Sequence, residues 1–187
     1  MPSRARRSLP FLQKRIALAV LAAVICGAPL AQAADGEPAP VPAPLLSRIS
    51  SFTDRAASLA IEAMSLVGIH YRLGGTSPEH GLDCSGLVRY VFRQANGTEL
   101  PRTSSEISQV GEKVEKKDLQ PGDLVFFNTL KRTFSHVGIY LGDNKFIHAP
   151  SSGGTVRVES MDLAYWKERF NGARRIVEDQ IYDKPKR

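Results

Sequence analysis

Cysteine is nearly missing from this chain, with only Cys26 and Cys84 among 187 residues. Two thiols cannot make a disulfide framework. Neither belongs to a C-x-x-C pair, and the four histidines, His70, His80, His136 and His148, form no H-x-x-x-H pair. Zinc wants such closely spaced ligands, so no metal is expected, and nothing calls for another cofactor. Acidic side chains are missing from residues 1–33, where Arg4, Arg6, Arg7, Lys14 and Arg15 stand without a counter-charge. A long apolar run is missing as well. The stretch "IALAVLAAVICGAPLA" is broken by Gly27 and Pro29, and it falls short of the roughly 20 residues a membrane-spanning helix needs.

What residues 1–33 do contain is a basic head, a short apolar segment and the small-x-small site "AQA" at Ala31–Ala33. That pattern is a secretory signal peptide cut after Ala33. The residues after Arg6–Arg7, "SLPF", suit the general secretory route better than twin-arginine export. Ile25, before Cys26, is not the small residue a lipid-anchor site requires. The expected product is therefore exported, to the periplasm or more broadly the cell envelope, with no membrane anchor after cleavage. The charge follows the same division. The whole chain carries 25 basic and 19 acidic residues, a net of +6, and losing five basic residues leaves 20 against 19. A net of +1 gives no warrant for nucleic-acid binding, and a monomer is expected.

Residues 34–50, "DGEPAPVPAPLLSRIS" in their core, read as a Pro/Ala-rich extended linker. Residues 51–180 make one domain of ordinary size, and 181–187 a flexible tail. A first helix is expected from Asp54 to Val67, with Thr53 as its cap and Gly68 as its stop. Its stripe would be Phe52, Ala56, Leu59, Ala60, Ala63, Met64 and Val67. A second opens at Asp83 and ends at Asn96–Gly97, burying Val88, Val91, Phe92 and Ala95, and a short third covers Ser104–Val110. The second half turns to short β-branched and aromatic runs, "DLVFFN", "HVGIYLG", "KFIHAP", "TVRVES" and "ARRIV", with one amphipathic turn, "LAYWKERF". Helices first and strands afterwards give an α+β fold, N-terminal helices packed on an antiparallel sheet.

Cys84 is then a lone thiol in an exported chain, which by itself is as consistent with an inert buried residue as with a reactive one. Its position is unusual. With Asp83 as N-cap it occupies the first helical position, where free amides and the helix dipole favour a thiolate. Ser85 and Gly86 keep the surroundings small enough for another backbone to approach. A thiolate nucleophile needs a base, and His136 and His148 lie on the two arms of "HVGIYLGDNKFIHA". A three-residue loop, Gly142–Asp143–Asn144, sets Leu141 against Lys145 and Gly138 against His148. His136 then becomes a diagonal neighbour of His148 on one face, roughly 7–8 Å away at the backbone. A two-residue loop would place them on opposite faces. Taken singly, each histidine reads as a hydrogen-bonded strand-end residue. Taken together with Cys84, they suggest a nucleophile, a base (His136) and an orienting group (His148).

The motifs "YRLGG" (71–75), "DCSGLV" (83–88), "LPRTS" (100–104), "PGDLVFF" (121–127), "SHVGIYLG" (135–142) and "FIHAP" (146–150) stand in the order and spacing of a known family. Over residues 55–176 the chain resembles the NlpC/P-60 cell-wall cysteine peptidases. The resemblance implies a papain-like core and hydrolysis of amide bonds in peptidoglycan stem peptides, with Cys84 as nucleophile, His136 as base and His148 as orienting residue. It also implies that Tyr71 and the Cys84 amide form the oxyanion hole, and that Asp83 and Ser85 contact the substrate. The pattern is most similar to single-domain Gram-negative enzymes that cut D-alanyl–meso-diaminopimelate crosslinks. The D-γ-glutamyl–diaminopimelate bond is the alternative. A non-catalytic wall-binding module on the same scaffold and acyl transfer in place of hydrolysis also stay open. An activated thiolate should be alkylated faster than a free thiol, which would separate the enzyme from the binding module.

Overall fold

The computed structural model describes residues 43–129, 132–151 and 154–177. The expected signal peptide, the first part of the expected linker and the tail lie outside the described residues. The elements are α1 (Ala43–Ser65), β1 (Thr76–Ser77), β2 (Gly81–Leu82), α2 (Cys84–Asn96), α3 (Ser104–Ile107), β3 (Glu112–Val114), a 3-10 turn (Lys116–Asp118), β4 (Leu124–Phe127), β5 (His136–Gly142), β6 (Lys145–His148), β7 (Arg157–Ser160), α4 (Ala164–Lys167) and β8 (Phe170–Arg175). β1 and β2 form a small ribbon, and the remaining strands form an antiparallel sheet in the order β3-β8-β4-β5-β6-β7.

The period of two in β4 explains how that sheet is held. Leu124 and Phe126 point to one face, where they join Leu59, Ala63, Leu87, Val88, Val91 and Phe92 of α1 and α2. Val125 and Phe127 point to the other, where Phe146, Met161 and Trp166 cover them. A strand buried on both faces reads as a continuous apolar run, and each fully buried phenylalanine there contributes roughly 2 kcal/mol of burial. The architecture is the expected α+β one.

Four expectations about α1 need correction: its start, its cap, its buried stripe and its end. The helix starts at Ala43, not Asp54, so residues 43–50 of the expected extended linker are helical. Pro44 does not prevent this because it lies in the first turn, where its missing N–H would have no intrahelical partner. Thr53 is therefore inside the helix, its hydroxyl donating to the Ser50 carbonyl at 2.8 Å, and does not cap it. The buried stripe is also narrower than expected. Leu59, Ala63 and Leu66 are buried, whereas Met64 and Val67 are 49% and 46% exposed. The helix stops at Ser65, before Gly68 takes its left-handed φ of 92°.

The hairpin between β5 and β6 keeps the expected face by a different device. Its turn is two residues, Asp143–Asn144, both with positive φ (49° and 54°), and Gly142 pairs with Lys145. Leu141 therefore does not face Lys145. Beyond it the register shifts by one, so that Tyr140 pairs with Phe146 and Ile139 with Ile147. Leu141 is the extra residue of a bulge, and it restores the parity that an uncompensated two-residue turn would have lost. α3 ends at Ile107, short of the expected Val110, and is fixed at its start by a Thr103–Glu106 capping box.

Candidate active site

The start of α2 is built around one carboxylate. Asp83 caps the helix, accepting from the Gly86 amide at 2.7 Å with an extended φ of −88°. It also accepts from Ser85 Oγ (3.0 Å), from the Gly74 amide (3.0 Å) and from both terminal nitrogens of Arg102 (2.6 and 3.2 Å). Burial alone would raise this carboxyl, but Arg102, Gly86 and Ser85 together hold it below the ordinary carboxylate range. Arg102 Nη1 reaches Ser85 Oγ as well, at 2.8 Å. Asp83 and Ser85 line the cleft at Cys84, but their hydrogen-bonding capacity is largely engaged within the protein.

Cys84 is a free thiol at the start of α2, packed against the core that α2 shares with the sheet. Cys84 and His136 line the same cleft. The backbone N–H groups of Val137, of Ser85 and of Cys84 itself act to favour its thiolate form. These donors do not prevail in the resting state. Burial first, and then the adjacent Asp83 carboxylate, push the thiol from 9.0 up to about 11. The expectation that the helix start would favour the thiolate therefore fails for the free protein. A sulfur removed from water and placed next to a carboxylate outweighs one turn of dipole.

The two imidazoles meet directly. His136 Nε2 lies 2.9 Å from His148 Nδ1, with both side chains buried. Burial holds both far below the ordinary 6.5, aided at His136 by the neighbouring imidazole and at His148 by Arg157. His136 is thus neutral, and because its Nε2 is occupied, Nδ1 is the nitrogen left free to take a proton. Trp166 fixes the pair, stacking on His136 at 5.5 Å and meeting His148 edge-on at 4.9 Å. His70 and His80 belong elsewhere: His70 bridges to Thr155, and His80 Nδ1 lies 3.1 Å from Ser77 Oγ.

Tyr71 lines the same cleft as Cys84 and His136. Burial, followed by Cys84 and Asp83, raises its hydroxyl above the usual range, so it stays a protonated donor. The cleft holds about 340 Å³. A second cavity, also about 340 Å³, opens on the other side of His136 among Arg157, Glu159, Leu163, Tyr165 and Trp166. His136, Thr129 and Ser151 line both, whereas Cys84 and Tyr71 line only the first.

Sequence reasoning missed two residues here. Arg102 stands in the quoted "LPRTS", but its partner Asp83 is 19 residues away and no periodicity links them. Glu159 lies 3.7 Å from His148 Nε2 through Oε1, in a short, half-buried strand whose sequence carries no local sign of that contact.

Residues 68–175 match the NlpC/P60 family. The murein DD-endopeptidase MepS/murein LD-carboxypeptidase of Escherichia coli K12 is 47% identical over 110 residues, covering 59% of this chain and 57% of that protein. The gamma-DL-glutamyl hydrolase of Bacillus subtilis 168 is 46% identical over 116 residues, 62% of this chain and 28% of its own. The chain thus spans little more than half the length of such curated relatives, or less. Among solved structures, the peptidoglycan hydrolase RipB from Mycobacterium tuberculosis superposes with a TM-score of 0.58 at 30% identity, covering 71% of this chain and 70% of that one. The NlpC/p60 domain of the peptidoglycan hydrolase SagA gives 0.57 at 32% identity, over 65% of this chain and 98% of that domain.

Proposed function

The chain belongs to the NlpC/P60 family, and from that membership we propose that it is an exported peptidoglycan endopeptidase of the cysteine type. The observation that carries this reading is the 2.9 Å His136–His148 contact beside the cleft that His136 lines together with Cys84 and Tyr71. In this reading His136 Nδ1 takes the Cys84 proton as the sulfur attacks a stem-peptide carbonyl carbon. The Tyr71 hydroxyl and the Cys84 amide donate to the oxygen that becomes negative. Collapse breaks the C–N bond, and the proton on His136 goes to the departing amine. Water then attacks the thioester, gives a proton to His136, and the C–S bond breaks to restore the thiol.

The two cavities suit the two halves of such a substrate. The acyl half must reach the sulfur and the oxyanion donors, which only the first cavity contains. The amine half needs only His136, and the second cavity offers that. A cavity of about 340 Å³ on the amine side favours a bulky departing amine over a single terminal residue. The D-alanyl–meso-diaminopimelate crosslink has that character, and the similarity to a murein DD-endopeptidase supports it. The similarity to a gamma-DL-glutamyl hydrolase supports the D-γ-glutamyl bond as the second reading. Residues 1–33 act as the signal peptide and deliver a monomer to the periplasm. No helix of the described residues is long and apolar enough to cross a membrane.

The test is release of muropeptides from isolated sacculi, with products identified by mass. Cys84→Ala should abolish release while leaving circular dichroism and thermal unfolding unchanged. Release that persists in that variant ends the proposal.

A further inference from the structure

The far end of the imidazole pair carries an open question. His148 Nε2 is fully buried and has no hydrogen-bond partner among the described residues, a state that costs free energy unless something nearby compensates. The polar group facing it is the carboxylate of Glu159 on β7, with Oε1 at 3.7 Å. That carboxylate is clamped from two sides. Arg157 Nε donates to Oε1 and the indole Nε1–H of Trp166 donates to Oε2. The Trp166 ring is the one that stacks on His136 and abuts His148. The carboxylate, the indole and both imidazoles therefore form one contiguous cluster.

We propose that Glu159 is a positioning residue for the pair: its carboxylate holds His148 with the proton on Nε2, which leaves Nδ1 as the acceptor for the Nε2–H of His136. The proposal rests on the reading of His136 as the base. The tautomer matters because His136 Nε2 and His148 Nδ1 share one hydrogen bond, so one must donate and the other accept. If His148 carried its proton on Nδ1, His136 would have to accept at Nε2. Its own proton would then sit on Nδ1, the nitrogen needed for the thiol. A negative group opposite His148 Nε2 selects the productive arrangement. Glu159 also favours the charged form of His136 that arises once the thiol proton has moved. The charged groups acting on the pair are Glu159 and Arg157, both on β7, with Arg157 opposing a proton on His148. Phe146 and Trp166 pack against His148, and Phe127 and Trp166 against His136, whose remaining surface borders the two cavities.

The experiment compares Glu159→Gln with the parent in the full chain by two readouts. In the Cys84→Ala background, nitrogen-15 imidazole shifts report the tautomers without requiring any activity. The expected result is His148 largely on Nε2–H in the parent and a population with the proton on Nδ1 in Glu159→Gln. In the Cys84 protein, kcat on crosslinked muropeptides should fall about tenfold with little change in KM, as expected when a base is held in a less productive tautomer. Its pH profile should shift as well, a change that a purely structural ion pair would not cause. If Glu159→Gln does not fold, Trp166→Phe keeps the ring against both imidazoles and removes one donor to the carboxylate. A smaller effect in the same direction is then expected. Unchanged His148 tautomers in whichever variant folds overturn the proposal. Activity that survives Cys84→Ala would overturn the cysteine mechanism instead, and the nitrogen shifts would still decide the role of Glu159.

Discussion

Gly86, in the first turn of α2, packs directly under the carbonyl oxygen of Gly75, leaving no room for a Cβ between them. The Asp83 amide donates to that same carbonyl at 3.2 Å. The contact locks the loop that carries Tyr71 onto the start of the helix that carries Cys84. Both partners are backbone, so neither can swing aside.

Gly86→Ala must therefore push the 71–75 loop away from the helix. Overpacking of this kind costs about 2 kcal/mol, readable as a lower urea midpoint. The larger effect should be on sacculus digestion, because Tyr71 leaves the cleft while the His136–His148 pair is untouched. Preserved imidazole nitrogen shifts alongside a strong loss of activity would be the expected signature. Full activity would show that the loop position is irrelevant to turnover.

Asp83 joins a helix cap to an ion pair with Arg102, a guanidinium 38% exposed. Exposure on that side discounts the ion pair, so Asp83→Ala should destabilise by about 2 kcal/mol, mostly from the lost cap. Asp83→Asn keeps a capping oxygen and should lose less. Denaturant titration of the two variants separates cap from charge.

Burial and the Asp83 carboxylate raise the Cys84 thiol to about 11, so the free protein carries less thiolate at neutral pH than an ordinary thiol does. Alkylation by iodoacetamide without substrate should be slow at pH 7 and should climb until the pH approaches 11. Asp83→Asn removes one of the two raising causes and should shift that climb to lower pH. Slow alkylation would not by itself argue for a mere binding module, because in the proposed mechanism the proton moves to His136 only as substrate engages. Fast alkylation at pH 7 would contradict the resting state described.

Much of this site was legible in the sequence because the signals are local. An aspartate before Cys84 and a glycine after Asn96 mark both ends of α2, and Gly97 does adopt the left-handed cap with φ 71°. The two histidines could be placed on one face because strand parity depends only on counting. The count came out right although the turn was not the one expected, since the Leu141 bulge substitutes for the third loop residue. The start of α1 was hidden by proline and alanine, whose composition resembles a linker although a proline in a first turn is harmless. Arg102 and Glu159 were illegible for a common reason. Each acts through a partner brought near by the fold, and although Arg102 lies in a quoted motif, nothing local to either residue names that partner.

Tyr165 and Leu163 stand 49% and 52% exposed at the cavity that touches His136 but not Cys84. If that cavity holds the departing half of a crosslink, Tyr165→Ala should raise KM for crosslinked muropeptides several-fold and leave Cys84 alkylation unaltered. Equal KM values would place the departing half elsewhere.

The buried imidazoles also make the fold sensitive to acid, and the sign follows from their lowered affinity for protons. In the unfolded chain a histidine binds its proton near 6.5, whereas His136 and His148 in the folded protein resist it down to about 3. Their contribution is therefore fully present above pH 6.5 and is lost progressively as pH falls from about 6.5 towards 3. Each histidine adds at most about 1.4 kcal/mol of lost stability per pH unit within that window. Urea unfolding between pH 8 and pH 4 should show that slope below pH 6.5. His148→Asn, which keeps a polar partner for His136 but cannot take up a proton, should make it shallower. A slope unchanged by that substitution would mean that the acid sensitivity arises from other groups, and that His148 is not held neutral by its burial.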